Sequence, residues 1–202
     1  MKKLLAMAAL VVLLGAFGAF TATSTADAKT LTYKGSGDKI IKIGKPSGKQ
    51  TEAVVVKISY SGSSNFVVWA LNKKLKQTDL LVNTIGDYKG TVPLDFAGGS
   101  ATYRLQIQAE GDWKVVIKPW SSQRRFTGKV SGHGDDVVLY EGGARVATIK
   151  YDGESNFVVW AYYANSSDLL VNEIGKYKGQ SVLSGKAVIT LSADGPWSIV
   201  TK

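Results

Sequence analysis

Cysteine is missing from this 202-residue chain. Its absence excludes disulfide staples, thiol nucleophiles, cysteine-ligated zinc and a lipid-modified cysteine tethering the N-terminus. Histidine is nearly missing too. His133 stands alone, which rules out a multi-histidine metal site, and its glycine-flanked turn reads as a surface position. The Gly-x-Ser-x-Gly turn of a nucleophile elbow does not occur. Beyond the N-terminal segment no long window places apolar residues at helical spacing, so helices are not expected. Acidic charge is the minority, with 16 Asp and Glu against 25 Lys and Arg, a formal net charge of +9.

The N-terminus reads as a targeting segment over residues 1–28. Lys2 and Lys3 precede an apolar run from Leu4 to Phe20, and Ala26-Asp27-Ala28 supplies a small-residue cleavage pattern. The run is short for a membrane span, and no later stretch could serve as one. The mature chain is therefore expected to be secreted, extracellular and in reach of a cell wall.

What remains is a repeat. Ser64-Asn65-Phe66-Val67-Val68-Trp69-Ala70 returns as Ser155-Asn156-Phe157-Val158-Val159-Trp160-Ala161. The run from Asp79 to Gly90 is echoed from Asp168 to Gly179, Gly111-Asp112-Trp113 by Gly195-Pro196-Trp197, and Gly37-Asp38 by Gly134-Asp135. A period of roughly 85–95 residues suits two copies of a complete small domain rather than a solenoid. Within each copy, short apolar or alternating runs are separated by glycine-rich turns, the pattern of an antiparallel β-sandwich of seven or eight strands. In copy two the runs are Val137–Tyr140, Arg145–Tyr151, Asn156–Tyr163, Leu169–Glu173, Ser181–Leu183, Ala187–Ser192 and Trp197–Val200. Copy one has longer loops at Gly44–Thr51 and Ala97–Ser100. The expected organisation is two tandem antiparallel β-sandwich domains of jelly-roll or Greek-key type related by internal duplication, over 29–120 and 121–202, with a linker at about 119–125.

The repeat also names a core. Phe66, Val68, Trp69, Leu81 and Ile85 are expected to be buried, with Phe157, Val159, Trp160, Leu170 and Ile174 as their counterparts. Trp113 and Trp197 open the last strand of each copy and should plug one end of the sandwich.

Catalytic chemistry finds little footing. The repeated acids are Asp38 with Asp135, Asp79 with Asp168, and Glu110 with Asp194; all abut turns or strand starts, where carboxylates bond nearby backbone N–H groups. A carboxylate-dependent hydrolase is the disfavoured alternative. A calcium candidate is confined to Asp152 and Glu154, whose counterparts Ser61 and Ser63 carry no charge; a hairpin turn is the reading there, and no metal or cofactor is expected.

Binding is the more natural expectation. Tyr88 and Tyr177 occupy matching turns and are the repeated candidates for exposed aromatics, with Asn83 and Asn172 as nearby amides for a sugar face. Trp120 has no counterpart and either packs between the copies or remains exposed. Residues 29–120 carry 14 basic and 7 acidic groups, whereas 121–202 carry 9 and 8. Outside a cell such charge suits an anionic wall polymer or a membrane surface rather than nucleic acid. Lys73, Lys74 and Lys76 cluster in one loop of copy one, where copy two has Ala164, Asn165 and Ser166.

The run Ser-Asn-Phe-Val-Val-Trp, then Leu-Leu-Val-Asn-x-Ile-Gly-x-Tyr-x-Gly, then Ala193-Asp194-Gly195-Pro196-Trp197 resembles small β-sandwich modules of secreted bacterial proteins, in particular the pre-peptidase C-terminal type. That resemblance implies an accessory, non-catalytic module that binds or stabilises. The expectation is a secreted, envelope-associated binding module for polysaccharide, an anionic wall polymer or another envelope protein, with a structural or protein-contact module as the alternative.

Overall fold

A computed structural model describes residues 29–96, 98 and 101–202. The expected targeting segment and most of the Ala97–Ser100 loop lie outside the described residues. The fold is all-β, and one 3-10 turn, Trp120–Ser122, is the single helical element among the described residues.

The first half contains β1 (Leu31–Ser36), β2 (Lys39–Lys42), β3 (Val54–Ser61), β4 (Asn65–Leu71), β5 (Gln77–Ile85), β6 (Tyr88–Leu94), β7 (Arg104–Gln108) and β8 (Asp112–Pro119). They form two four-stranded antiparallel sheets, ordered β1-β8-β3-β6 and β2-β7-β4-β5. Period-2 alternation turns Ile58, Tyr60, Val115 and Ile117 of one sheet towards Phe66, Val68, Leu105 and Ile107 of the other, and these residues share one buried cluster.

The second half contains β9 (Arg125–Phe126), β10 (Lys129–His133), β11 (Asp136–Tyr140), β12 (Arg145–Tyr151), β13 (Asn156–Tyr162), β14 (Ser167–Ile174), β15 (Tyr177–Leu183), β16 (Ala187–Ser192) and β17 (Pro196–Thr201). Its sheets run β10-β17-β12-β15 and β14-β13-β16-β11-β9, with β9 parallel to β11 and all other pairs antiparallel. Seven of these strands fall on the sequence-expected runs; β10 and the two-residue β9 do not. Arg125, assigned to the linker, is thus already in a sheet of the second half.

Contacts recur at matched positions. Tyr60 stacks on Phe66 and Tyr151 on Phe157, each with ring centroids 4.3 Å apart. Trp113 and Trp197 are both 3% exposed, and each indole Nε1 donates to a glycine carbonyl, Gly37 and Gly134, at 3.0 Å. Both are end plugs as expected.

Five core expectations fail, the first being Leu170, which is only half-buried on β14 against the second half's core. Trp69 and Trp160 are only half-buried, because Phe66 and Val68 (or Phe157 and Val159) already point inward and alternation sends the following tryptophan to the outer face. Ile85 and Ile174 are 78% and 74% exposed, since each ends its strand beside a glycine, Gly86 or Gly175, held at positive φ.

The halves touch. The outer face of β3 and the loop after β6 bring Val55 and Phe96 onto Val137, Leu139 and Val188 in a small buried cluster, with Trp120 and Tyr162 packed against it. Across the same contact the Thr91 N–H donates to the Asp135 carbonyl at 2.9 Å.

Candidate functional site

The three candidate lysines stand on the hairpin joining β4 to β5. Asn72 organises it: its Oδ1 accepts from the backbone N–H groups of Lys74 at 2.9 Å and Lys76 at 3.0 Å. Its own backbone N–H donates to Lys76 O, and Leu75 N–H donates to Asn72 O. An asparagine side chain that caps two backbone donors fixes a tight turn. Leu75 at the tip has φ of 63°, a left-handed conformation unusual for leucine, and is 57% exposed. Lys73, Lys74 and Lys76 are all exposed, so the turn presents three ammonium groups around one apolar side chain on a fixed backbone. Sequence reasoning identified the lysines; it missed Asn72 and Leu75. The asparagine before a charged turn was the available signal.

The other candidates are dispersed. Asn83 and Asn172 are exposed on β5 and β14, opposite Val67 and Val158. Tyr88 and Tyr177 are not exposed aromatics. Their rings sit 6.1 Å from Phe66 and Phe157, and the Tyr88 hydroxyl donates to Asp135 Oδ2 at 2.6 Å. Burial, then the charge of Asp135, pushes the Tyr88 phenol well above its ordinary range. Trp120 is half-buried against the cluster between the halves.

The repeated acids mostly cap backbone. Asp38 Oδ1 accepts from Ala109 N–H and Asp135 Oδ1 from Ala193 N–H, each at 2.8 Å. Asp194 accepts from the backbone of Ser155 at 3.1 Å and Glu154 at 3.3 Å, and from the Tyr151 hydroxyl. Asp79 and Asp168 lie exposed on β5 and β14. In the calcium candidate, Asp152 Oδ1 pairs with Lys176 at 2.7 Å in solvent, and Glu154 is exposed. No group of three or more ligating side chains occurs among the described residues. His133 is exposed at the end of β10.

A hollow of about 560 Å³ lies on the β1-β8-β3 sheet, lined by Lys34, Ser59, Asp112 and Lys114 over the backbone of Gly35. Lys34 and Lys114 are direct cross-strand neighbours. The second half has Ser131 and Ser198 at those positions, so the cationic pair belongs to the first half alone. A buried ion pair, Lys45 Nζ to Asp95 Oδ2 at 2.7 Å, closes one end of the same half, and Thr102 donates to Asp95 through both N–H and Oγ1. Burial pushes the Lys45 ammonium below the usual lysine range, with Asp95 pulling it back.

Among the described residues no helix is long and apolar enough to cross a membrane. No protein-family model matches the chain, and no curated protein is similar to it in sequence.

Proposed function

We propose that this chain is a secreted, non-catalytic binding module of the cell envelope, held to an anionic wall polymer or acidic polysaccharide through its first half. The reading takes the halves as two copies of one unit, divided near residues 119–125, and the N-terminal segment as a cleaved signal. One observation carries it: the Asn72-organised turn that displays Lys73, Lys74 and Lys76, without acidic neighbours in the turn and without a charged counterpart in the second half. Fixing the backbone beforehand lowers the ordering cost of binding, and three clustered ammonium groups attract a polyanion more than scattered ones do. The cationic hollow of Lys34 and Lys114 adds charge of the same sign on another face of that half.

The test is cosedimentation of the mature protein with purified cell wall and with insoluble acidic and neutral polysaccharides. Binding to the acidic materials should fall as salt is raised, because screening acts over about 8 Å at physiological ionic strength. Replacing Lys73, Lys74 and Lys76 together by glutamine should remove most of it. Binding indifferent to salt, or unchanged in the triple variant, overturns the reading and favours a structural or protein-contact module.

A further inference from the structure

The contact between the halves is head-to-tail. The surface offered by the first half is the sheet edge at β6 and the β3 face beside it: Val55 and Pro93 lie on the outer face, and Tyr88, whose ring packs inward on Phe66, reaches Asp135 with its hydroxyl. The surface offered by the second half lies on β11 and β16, with Asp135, Val137, Leu139 and Val188. The two are different surfaces of the repeated unit. A heterologous contact of this kind uses each surface once and leaves its equivalent open at the other end of the molecule.

Both open surfaces keep the elements of the contact. On the second half, Val146 and Val182 face each other across β12 and β15, as Val55 and Pro93 do across β3 and β6. Val55 is 1% exposed, whereas Val146 and Val182 are 46% and 60% exposed. Tyr177 has the ring geometry of Tyr88, and Gly179 stands at the position of Gly90. A Cβ on Gly90 would meet the Tyr88 hydroxyl first and then the Asp135 Cβ at 2.9 Å, so the glycine makes room for both, as Gly179 does for the Tyr177 hydroxyl. On the first half, Ile40 holds the position of Val137 but is 58% exposed where Val137 is buried. Asp38 holds the position of Asp135 and caps Ala109 through Oδ1 in the same way; its Oδ2 takes no hydrogen bond among the described residues. One missing contact accounts for the exposure of Ile40, Val146 and Val182 together.

We propose that a second copy of this chain fills it: Asp38 and Ile40 of one molecule dock on Tyr177, Val146 and Val182 of the next, extending the head-to-tail order into an open-ended stack. The intermolecular contact is weaker than the one inside the chain. Lys42 and Arg104 replace Leu139 and Val188, and Gly185 stands where the first half has Phe96. Both surfaces are basic, with Lys150 and Lys178 on the docking side, so repulsion opposes the contact and salt relieves it. Association therefore strengthens with salt, opposite in sign to binding of an anionic polymer.

Sedimentation velocity of the mature protein in about 0.5 M salt tests this over about 10 µM to 1 mM, the range expected of a small contact. The mass should rise with concentration beyond two protomers. Ile40→Lys and Val182→Lys should each hold the protein monomeric while leaving the melting temperature within a few degrees of wild type. Mixing those two variants should give heterodimers and nothing larger, because each retains the surface the other lacks. Monomers throughout, a closed dimer in the wild type, or growth that survives either substitution overturns the proposal.

Discussion

The Tyr88 hydroxyl donates a 2.6 Å hydrogen bond to Asp135 Oδ2 and so ties the first half of the molecule to the second. Asp135 is anchored on its other side by Ala193 N–H, which leaves the carboxylate little freedom to follow a different partner. Tyr88→Phe should lower stability by about 1–3 kcal/mol, the range for losing a hydrogen bond to a charged group. Burial raises the Asp135 carboxyl against hydrogen bonds from Tyr88, Ala193 and Ser192. A raised carboxyl binds its proton in the native state first, so this group adds stability as pH falls from neutral toward the ordinary aspartate value. The raised phenol of Tyr88 works at the other end of the scale: the unfolded tyrosine ionises near pH 10, and stability drains above that value. Urea denaturation from pH 4 to 11 should show a shallower alkaline decline in Tyr88→Phe, and the gain on acidification should shrink in Asp135→Asn but persist in part, because desolvation also raises the Asp79 carboxyl. Tyr151 and Tyr162 are also raised, so the alkaline decline should persist in part.

Tyr60 and Tyr151 occupy matched positions and should respond in opposite ways to losing their hydroxyls. The Tyr151 hydroxyl bonds Asp194, whereas the buried Tyr60 hydroxyl has no partner among the described residues. The acid matched to Asp194 is Glu110, which is exposed. An unmet buried hydroxyl costs about 1–3 kcal/mol, so Tyr60→Phe should be neutral or stabilising and Tyr151→Phe destabilising. Equal losses in thermal unfolding would show that a partner, such as a bound water, satisfies Tyr60.

Lys45 and Asp95 form a pair that is costly to break singly. Their side chains are 0% and 3% exposed. Lys45→Met should destabilise by about 3–5 kcal/mol, because it strands a buried carboxylate. Adding Asp95→Asn should restore most of that loss: the amide oxygen still accepts from Thr102, and asparagine tolerates the positive φ of 63° found at residue 95. The double-mutant cycle in urea reads the coupling directly.

Strand patterns and the Gly-x-Trp turns were legible because they depend on local alternation and on residues with few alternatives. Gly111 and Gly195 show why: a Cβ on either would run into backbone of the facing turn, at Ser61 and at Gly153. Placing both Val68 and the adjoining Trp69 in the core ignored the same alternation, which is how Trp69 and Trp160 were misplaced. Tyr88 was misread for a different reason. Its partner is 47 residues away in the other half, and nothing local to Tyr88 announces Asp135. The cationic turn was legible as charge, while its rigidity depends on an asparagine side chain whose role emerges only from the fold.

Leu75 separates two ways the cationic turn could hold an anionic surface. Its positive φ costs about 1 kcal/mol for a residue with a Cβ, so Leu75→Gly relieves strain while loosening the unfolded chain, and stability should change little. If the ammonium groups of Lys73, Lys74 and Lys76 grip a hydrated polymer, the leucine contributes nothing to the contact. Leu75→Gly should then bind acidic polysaccharide within a factor of about two of wild type, since surface substitutions change energies by about 0.5 kcal/mol or less. The turn should keep its shape, because the Asn72 bonds involve backbone N–H groups that glycine leaves intact. If instead the leucine enters the apolar layer of an anionic lipid surface, losing its buried area should weaken binding to phosphatidylglycerol vesicles by about tenfold or more. Binding to acidic polysaccharide that survives Leu75→Gly but not the triple lysine substitution would assign the contact to charge alone. A tenfold loss with Leu75→Gly on vesicles, and no retention by polysaccharide in either form, would move the partner from the wall to the membrane.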